Sequence, residues 1–291
     1  MSIKSLGFEE IDSRATKLRE IAKHYPPQQS FSLISDGDRF LRANPLVPII
    51  GTICDQQITA EDAWEFPLWL SVKVDPRDFT AENLGRLGQS GIAEFLNDYM
   101  SDRWPSGMSG EDQRKYLQNV SRYITDTCNM IVKNFGNNPD KMFKLGNYTV
   151  PQVYFVLRGL PGFGAKKASM ITRDFALSTG SWFLGIRERL KKDAGIDFHV
   201  SQKHLSEVPV DVQVVKVFGR IMGEFQRTPP RSDFMKYYPD IQHLSKLVFP
   251  EFPSKLDEIL WAAGREYCDN MLPKCNECPL IKLPCDYAAS K

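Results

Sequence analysis

Apolar residues recur every three or four positions along most of the chain, the period of helices that bury one face. Phe8, Ile11, Ala15, Leu18, Ile21 and Tyr25 trace one such face, and Pro26-Pro27 ends it. Pro45 and Pro48 bracket the start of an apolar helix with Ile49, Ile50, Ile53 and Cys54, which runs into the polar cluster Asp55-Gln56-Gln57. The Gly- and Ser-rich stretch from Trp104 to Asp112 predicts a loop. Tyr123, Thr127, Cys128, Ile131 and Val132 mark a further helix, closed by Gly136-Asn137-Asn138-Pro139. Thr149 can cap a helix through Leu157, and another begins after a turn over Leu160–Gly164. Strand-like alternation is nearly absent, and no repeat or low-complexity tract is visible. The pattern predicts an all-α fold.

Composition narrows the class without naming it. Of 291 residues, 42% are hydrophobic and 25% charged, the balance of an ordinary globular protein. A net charge of +1 means that any nucleic-acid surface must be a local patch. The densest one runs from Ala165 to Lys192, where Lys166, Lys167, Arg173, Arg187, Arg189, Lys191 and Lys192 outnumber Asp174 and Glu188. The first residues carry neither an apolar signal core nor an Arg-rich transit pattern, and no apolar run is long enough to cross a bilayer. An intracellular protein of the cytoplasm or nucleoid, with no membrane partner, is expected.

Cysteine usage is uneven. Cys54 and Cys128 sit alone in apolar helical patterns, while Cys268, Cys275, Cys278 and Cys285 crowd into the last 24 residues. Spaced Cys-x6-Cys-x2-Cys-x6-Cys, four thiolates in one compact loop can reach one metal centre, and soft sulfur suits an iron–sulfur cluster or zinc. Zinc ribbons pair two close cysteine doublets, and this loop has one. A 4Fe–4S cluster, structural zinc and unmetallated thiols are the three readings. The flanking residues Gly264-Arg265-Glu266-Tyr267-Cys268 and Pro273-Lys274-Cys275 through Cys278-Pro279-Leu280 resemble the iron–sulfur loop of the endonuclease III branch of the helix-hairpin-helix DNA glycosylases. That branch usually has five residues in the last interval, and six stand here.

A second segment carries the same resemblance. Leu160-Pro161-Gly162-Phe163-Gly164-Ala165-Lys166-Lys167 joins two helices by a turn whose glycines can take positive φ. Backbone N–H groups there, at the start of the next helix, suit a DNA phosphate. Leu-Pro-Gly-x-Gly-x-Lys is the hairpin signature of the same family. In members that also cut the strand, the lysine two positions after the second glycine is the nucleophile, which the resemblance places at Lys166. An attacking amine must be neutral, and both the positive helix end and desolvation by a flipped nucleotide favour that form. The plainer role for Lys166 is a phosphate contact beside Lys167. Gly162, Gly164 and Lys167 are the expected DNA contacts of the turn.

Val208-Pro209-Val210-Asp211-Val212 precedes an apolar helix, so Asp211 is a natural N-cap. The resemblance adds the family's catalytic aspartate, a carboxylate that stabilises an oxocarbenium-like sugar as the base departs. Gln213 stands where the family often has histidine. Asp211 follows Lys166 by 45 positions, more than is usual, the excess falling around Thr179–Glu207. Further upstream, Ile53-Cys54-Asp55-Gln56-Gln57-Ile58-Thr59 resembles the segment that fills the gap left by a flipped base, with Gln57 as the wedge and Gln56 beside it. Two glutamines at an exposed helix end are the plainer alternative. Adenine-removing relatives carry a glutamate where Thr52 stands, which argues against adenine opposite 8-oxoguanine as the substrate.

The resemblance covers residues 46 to the C-terminus, interrupted near Ser71–Gly110 and Thr179–Glu207. It implies two helical domains with DNA in the cleft between them. One spans 46–206 and contains the hairpin at 151–177. The other joins 1–45 to 207–291 and holds the 4Fe–4S cluster on Cys268, Cys275, Cys278 and Cys285. It further implies a monomeric base excision repair glycosylase with AP lyase activity that removes a damaged, oxidised base from double-stranded DNA through a Lys166 Schiff base and Asp211. Alternatives are a monofunctional glycosylase for uracil, thymine mismatches or alkylated bases, a non-catalytic damaged-DNA-binding protein, and an iron–sulfur electron carrier.

Overall fold

A computed structural model describes residues 6–24, 37–75, 77–178, 180–225, 227–283, 285 and 288. The fold is all-α. Its helices are α1 (Phe8–His24), α2 (Gly37–Ala43), α3 (Leu46–Cys54), α4 (Ala60–Lys73), α5 (Ala81–Met100), α6 (Gly110–Phe135), α7 (Val150–Arg158), α8 (Ala165–Leu177), α9 (Ser181–Ala194), α10 (Val212–Met222), α11 (Phe234–Val248) and α12 (Leu256–Glu266). No helix among the described residues is long and apolar enough to cross a membrane.

Helix starts follow local chemistry. Thr59, Thr80, Ser109, Thr149 and Asp211 each accept an N–H of the first turn that follows, satisfying donors that have no intrahelical partner. At Thr149 the bond is reciprocal, because the Gln152 side chain returns to the Thr149 N–H. The Ser109 cap shortens the expected loop, so Gly110–Asp112 belong to α6. The final residues of the first apolar pattern, Tyr25 to Pro27, lie outside the described residues.

The chain divides into two compact units. The first comprises residues 1–29, 169–176 and 202–291, and the second residues 30–168 and 177–201. Relative to boundaries at 45/46 and 206/207, this division places α2 with α3 to α7 and the middle of α8 with the chain termini. In the first unit the apolar faces of α1, α10, α11 and α12 meet around Leu18, Val214, Phe218, Ile241, Leu244 and Leu260. In the second, the all-round apolar α3 is buried along its whole length, as a core helix must be.

The second unit also holds two strands that alternation did not foretell, β1 (Asn147–Thr149) and β2 (His199–Ser201). They pair in parallel, with Tyr148 opposite Val200. Phe143, Tyr148, Phe183 and Phe198 pack ring on ring beneath this pair, at centroid separations of 5.2–5.9 Å. Within the Thr179–Glu207 segment the described residues form α9, β2 and, in the first unit, a short 3-10 turn at Lys203–Leu205.

Candidate functional site

In the second unit, α7 runs through the expected Leu160–Gly164 turn into the first residues of α8. Gly162 takes φ +81°, and a Cβ there would meet the Tyr123 ring at 3.0 Å, so both backbone conformation and packing require glycine. The Thr127 hydroxyl donates to the Pro161 carbonyl at 3.2 Å, tying the turn to α6. Gly164 is exposed, and a Cβ there would meet nothing within 4 Å, which leaves room for another backbone to approach.

The two lysines that follow part company. Lys166 is exposed in the first turn of α8. Lys167 is buried, 7% exposed, and its Nζ donates to the Ile53 carbonyl at 2.7 Å. The phosphate contact expected of Lys167 is therefore not the role its side chain takes up. Its amine is committed to the end of α3, and burial lowers its pKa to about 8 against the opposing pull of Asp55.

Other members of the basic run also turn inward. Arg173, within the first unit, is buried between Asp174 and Asp257, with Nη2 2.9 Å from Asp174 Oδ1. Burial raises the Asp174 pKa to about 7 despite this partner. Arg189 grips Asp140 through Nε and Nη2 at 2.6 and 3.0 Å. Arg187 pairs with Asp197 at the surface, while Lys191 and Lys192 are exposed.

Beyond α3 the chain makes a tight turn. The Gln56 N–H reaches back to the Cys54 carbonyl at 2.6 Å, and Gln57 takes φ +65°. A left-handed conformation is unfavourable for a side chain of this kind and persists where surroundings hold it. Gln57 is exposed and Gln56 half-buried. The Tyr116 hydroxyl donates to the Cys54 carbonyl at 3.0 Å, so the last two carbonyls of α3 are both held from outside the helix. Thr52 is buried, its hydroxyl bonded back to the Pro48 carbonyl at 2.7 Å.

In the first unit, Asp211 caps α10. Its Oδ1 accepts from the Gln213 and Val214 N–H groups at 2.9 and 3.0 Å. The approach to it is pinned by residues that sequence reasoning missed. The buried Gln242 amide brackets Val208, accepting from its N–H at 2.8 Å and donating to its carbonyl at 2.9 Å. Ser254 bonds Ser206 Oγ through both backbone and hydroxyl.

The four C-terminal cysteines line one cavity, closed on its inner side by Val217, Ile221, Ala263 and Leu280. Arg220, 1% exposed, directs Nη1 at Cys268 Sγ (2.9 Å) and the Cys268 carbonyl (3.1 Å), and Nη2 at Asn270 (2.7 Å). Lys216, one turn earlier, donates to the Gly264 carbonyl at 2.8 Å. A lysine and an arginine four apart in a mostly apolar helix were the available signal. Burial pushes the Cys278 thiol up to about 11 and raises that of Cys268. No three described His, Cys, Asp or Glu side chains are grouped tightly enough to hold one metal ion. The donor set itself, four thiols on one mostly apolar cavity beside an N–H donor, fits an iron–sulfur cluster, whose ligands lie further apart than those of a single ion.

The chain matches no known family profile, and no curated protein sequence is significantly similar. Solved structures are similar in fold. A non-covalent endonuclease III–DNA complex aligns at a TM-score of 0.58 and 17% identity, covering 96% of this chain and 97% of that one. A trapped endonuclease III–DNA covalent intermediate, an estranged-adenine complex, aligns at 0.57 and 17%, with the same coverage. A thermostable thymine-DNA glycosylase aligns at 0.53 and 14%, covering 97% of this chain and 98% of that one.

Proposed function

We propose that the chain is a base excision repair DNA glycosylase with AP lyase activity, acting on double-stranded DNA that holds a damaged base. The observation that carries this reading is the contrast between adjacent lysines. Lys166 is exposed in the first turn of α8, beside the open side of Gly164, while Lys167 is turned inward. An amine presented at the first turn of the hairpin's second helix suits attack on a sugar whose phosphates the same turn can bind.

In this mechanism the Lys166 Nζ lone pair forms a bond to C1′ as the bond from C1′ to the base breaks. The base leaves with that electron pair and takes up a proton. Asp211 Oδ atoms stabilise positive charge developing on the sugar and accept the proton lost by the amine. The nitrogen lone pair then forms the C1′=N double bond as the C1′–O4′ bond breaks, O4′ taking the proton that Asp211 accepted, and loss of a C2′ proton from this open iminium expels the 3′ phosphate by β-elimination. Gln57, with Gln56 beside it, fills the space that the extruded base leaves and offsets part of an unstacking cost of a few kcal/mol. Gly162 and Gly164 let the turn approach the phosphate chain.

The fold similarity to endonuclease III and the four-cysteine cavity support a 4Fe–4S cluster held by Cys268, Cys275, Cys278 and Cys285. Bound there, the cluster would hold the segment from Cys268 to Cys285 together through four iron–thiolate bonds.

A panel of duplexes, each with one modified base and oxidised pyrimidines first, tests the reading. The expected result is free base together with a cut strand and a borohydride-trapped adduct. Base release with intact strands would make the enzyme monofunctional. No release from any duplex, with binding retained, would make it a damage-binding protein.

A further inference from the structure

We infer that Lys167 is a positioning residue that couples the hairpin to the Gln56–Gln57 turn. The roles of the two turns rest on the proposed glycosylase reading. The coupling itself rests on geometry.

Lys167 is a cation placed where cations are costly, in the interior of its unit at 7% exposure. One bond explains its place, from Nζ to the Ile53 carbonyl at 2.7 Å. Ile53 is the next-to-last residue of α3, and carbonyls at a helix C-terminus lack intrahelical partners and carry the negative end of the dipole. An ammonium is therefore the strongest donor this position can receive. Tyr116 takes the neighbouring carbonyl, that of Cys54, at 3.0 Å. The nearby Asp55 carboxylate adds attraction on the same side.

Three residues beyond Cys54 the chain enters its left-handed step at Gln57, φ +65°. Such a conformation needs a fixed anchor behind it. The anchor is supplied by α8, one residue after Lys166 exposes its own amine from the same helical turn. Any shift of the α8 start drags the last carbonyls of α3 with it. The residue filling the vacated base position and the residue attacking the sugar thus share one rigid reference, which matters because misplacement by about 1 Å can cost a hundredfold in rate.

Three measurements on the full-length protein test this. In the wild type, mild reductive methylation should modify Lys166 and spare Lys167 until the protein is unfolded. Equal labelling of both in the native protein would overturn the tether. Lys167→Met keeps the aliphatic stem and removes the N–H donor. It should raise amide hydrogen exchange at Asp55 and Gln56, whose N–H groups bond the Gly51 and Cys54 carbonyls, by tenfold or more, while exchange in α10–α12 stays unchanged. Unaltered exchange in the turn would overturn the coupling whether or not the protein excises bases. Against a lesion that the wild type excises, Lys167→Met should lose roughly ten- to a hundredfold on paired duplex, yet only a few-fold on the same lesion in an unpaired bulge. Equal loss on both would make Lys167 a general stability residue and overturn the positioning role. Failure of the wild type on every lesion, with the exchange result intact, would strike the glycosylase reading and leave the tether standing.

Discussion

Arg220, buried in the last turn of α10, donates from Nη1 to the sulfur of Cys268 at 2.9 Å and grips the following loop at Asp269 and Asn270. A buried guanidinium whose donors converge on one cysteine and its neighbours makes the start of the four-cysteine loop the best anchored part of it. The purified protein should be yellow-brown with about four irons per chain. Stoichiometric zinc without iron on elemental analysis would end the cluster assignment. Arg220→Met should lower the iron content and destabilise the fold by about 2–3 kcal/mol, since bonds from a charged donor are lost in the interior. Thermal melting with parallel iron analysis reads both.

Lys166 and Asp211 carry the proposed chemistry, and they separate from structure by conservative changes. Lys166→Gln should abolish borohydride trapping, because an amide cannot form a reducible imine. Asp211→Asn should preserve the α10 cap, as asparagine caps about as well as aspartate, while base release slows by roughly two to four orders of magnitude. A folded Asp211→Asn protein with wild-type excision would leave Asp211 as a cap.

Gln57 offers a different separation. In Gln57→Gly, relief of the left-handed conformation and the added flexibility of the unfolded chain oppose each other, so stability should stay within about 0.5 kcal/mol. Excision from paired duplex should nevertheless fall more than excision from an unstacked base. Chemical denaturation and paired assays check the two halves, and an undiminished rate on paired duplex would remove the wedge role.

The basic run makes a prediction about salt. With Lys167, Arg173 and Arg189 held by internal partners, phosphate contacts fall to exposed cations such as Lys191 and Lys192. Replacing either with glutamine should flatten the slope of log affinity against log salt by about one. Lys167→Met should leave that slope unchanged, and a reduced slope in this variant would restore Lys167 as a phosphate ligand.

Stability should respond to pH through Lys167. Its folded pKa, about 8, lies below the ordinary lysine value. Between roughly pH 8 and 10.5 the unfolded chain binds the extra proton, so this residue makes stability rise with pH, by up to about 3 kcal/mol across the window. Cys54 and Cys128, pushed up to about 12 by burial, act in the opposite direction above pH 8.5. The comparison is therefore between wild type and Lys167→Met, measured by denaturant titration at pH 7.5 and 10. A difference that does not change between the two would contradict the buried ammonium.

Much of the fold was legible because its signals are local. Thr149 and Gln152 form a capping box within one turn, and Asp211 caps the N–H groups two and three positions on, so spacing alone locates both helix starts. The hairpin was readable for the same reason, since Gly162 is demanded by its own φ. What escaped depends on partners far along the chain. Lys167 reads as one more surface cation until Ile53, 114 positions earlier, supplies its acceptor. Gln242 reads as a polar residue on α11 until Val208 appears between its two amide atoms. The left-handed step at Gln57 has no local signature, because glutamine is not a residue that favours it.

The β1–β2 pair has a consequence for how the molecule acquires its structure. Asn147 meets His199 in parallel, so the pairing can close only after the roughly fifty intervening residues have taken their paths, and contacts of such separation form slowly. The α7–α8 hairpin, built from neighbours in sequence, can form first and the clasp later. During synthesis on the ribosome the hairpin would emerge well before the strand that fastens its base. Over that interval the Phe143, Tyr148 and Phe183 rings, each of which packs on Phe198 at 5.2–5.9 Å once folded, lack that partner and stay open to water and to other chains. The enlarged segment around α9 thus adds a late, long-range closure to a unit whose other contacts are more local.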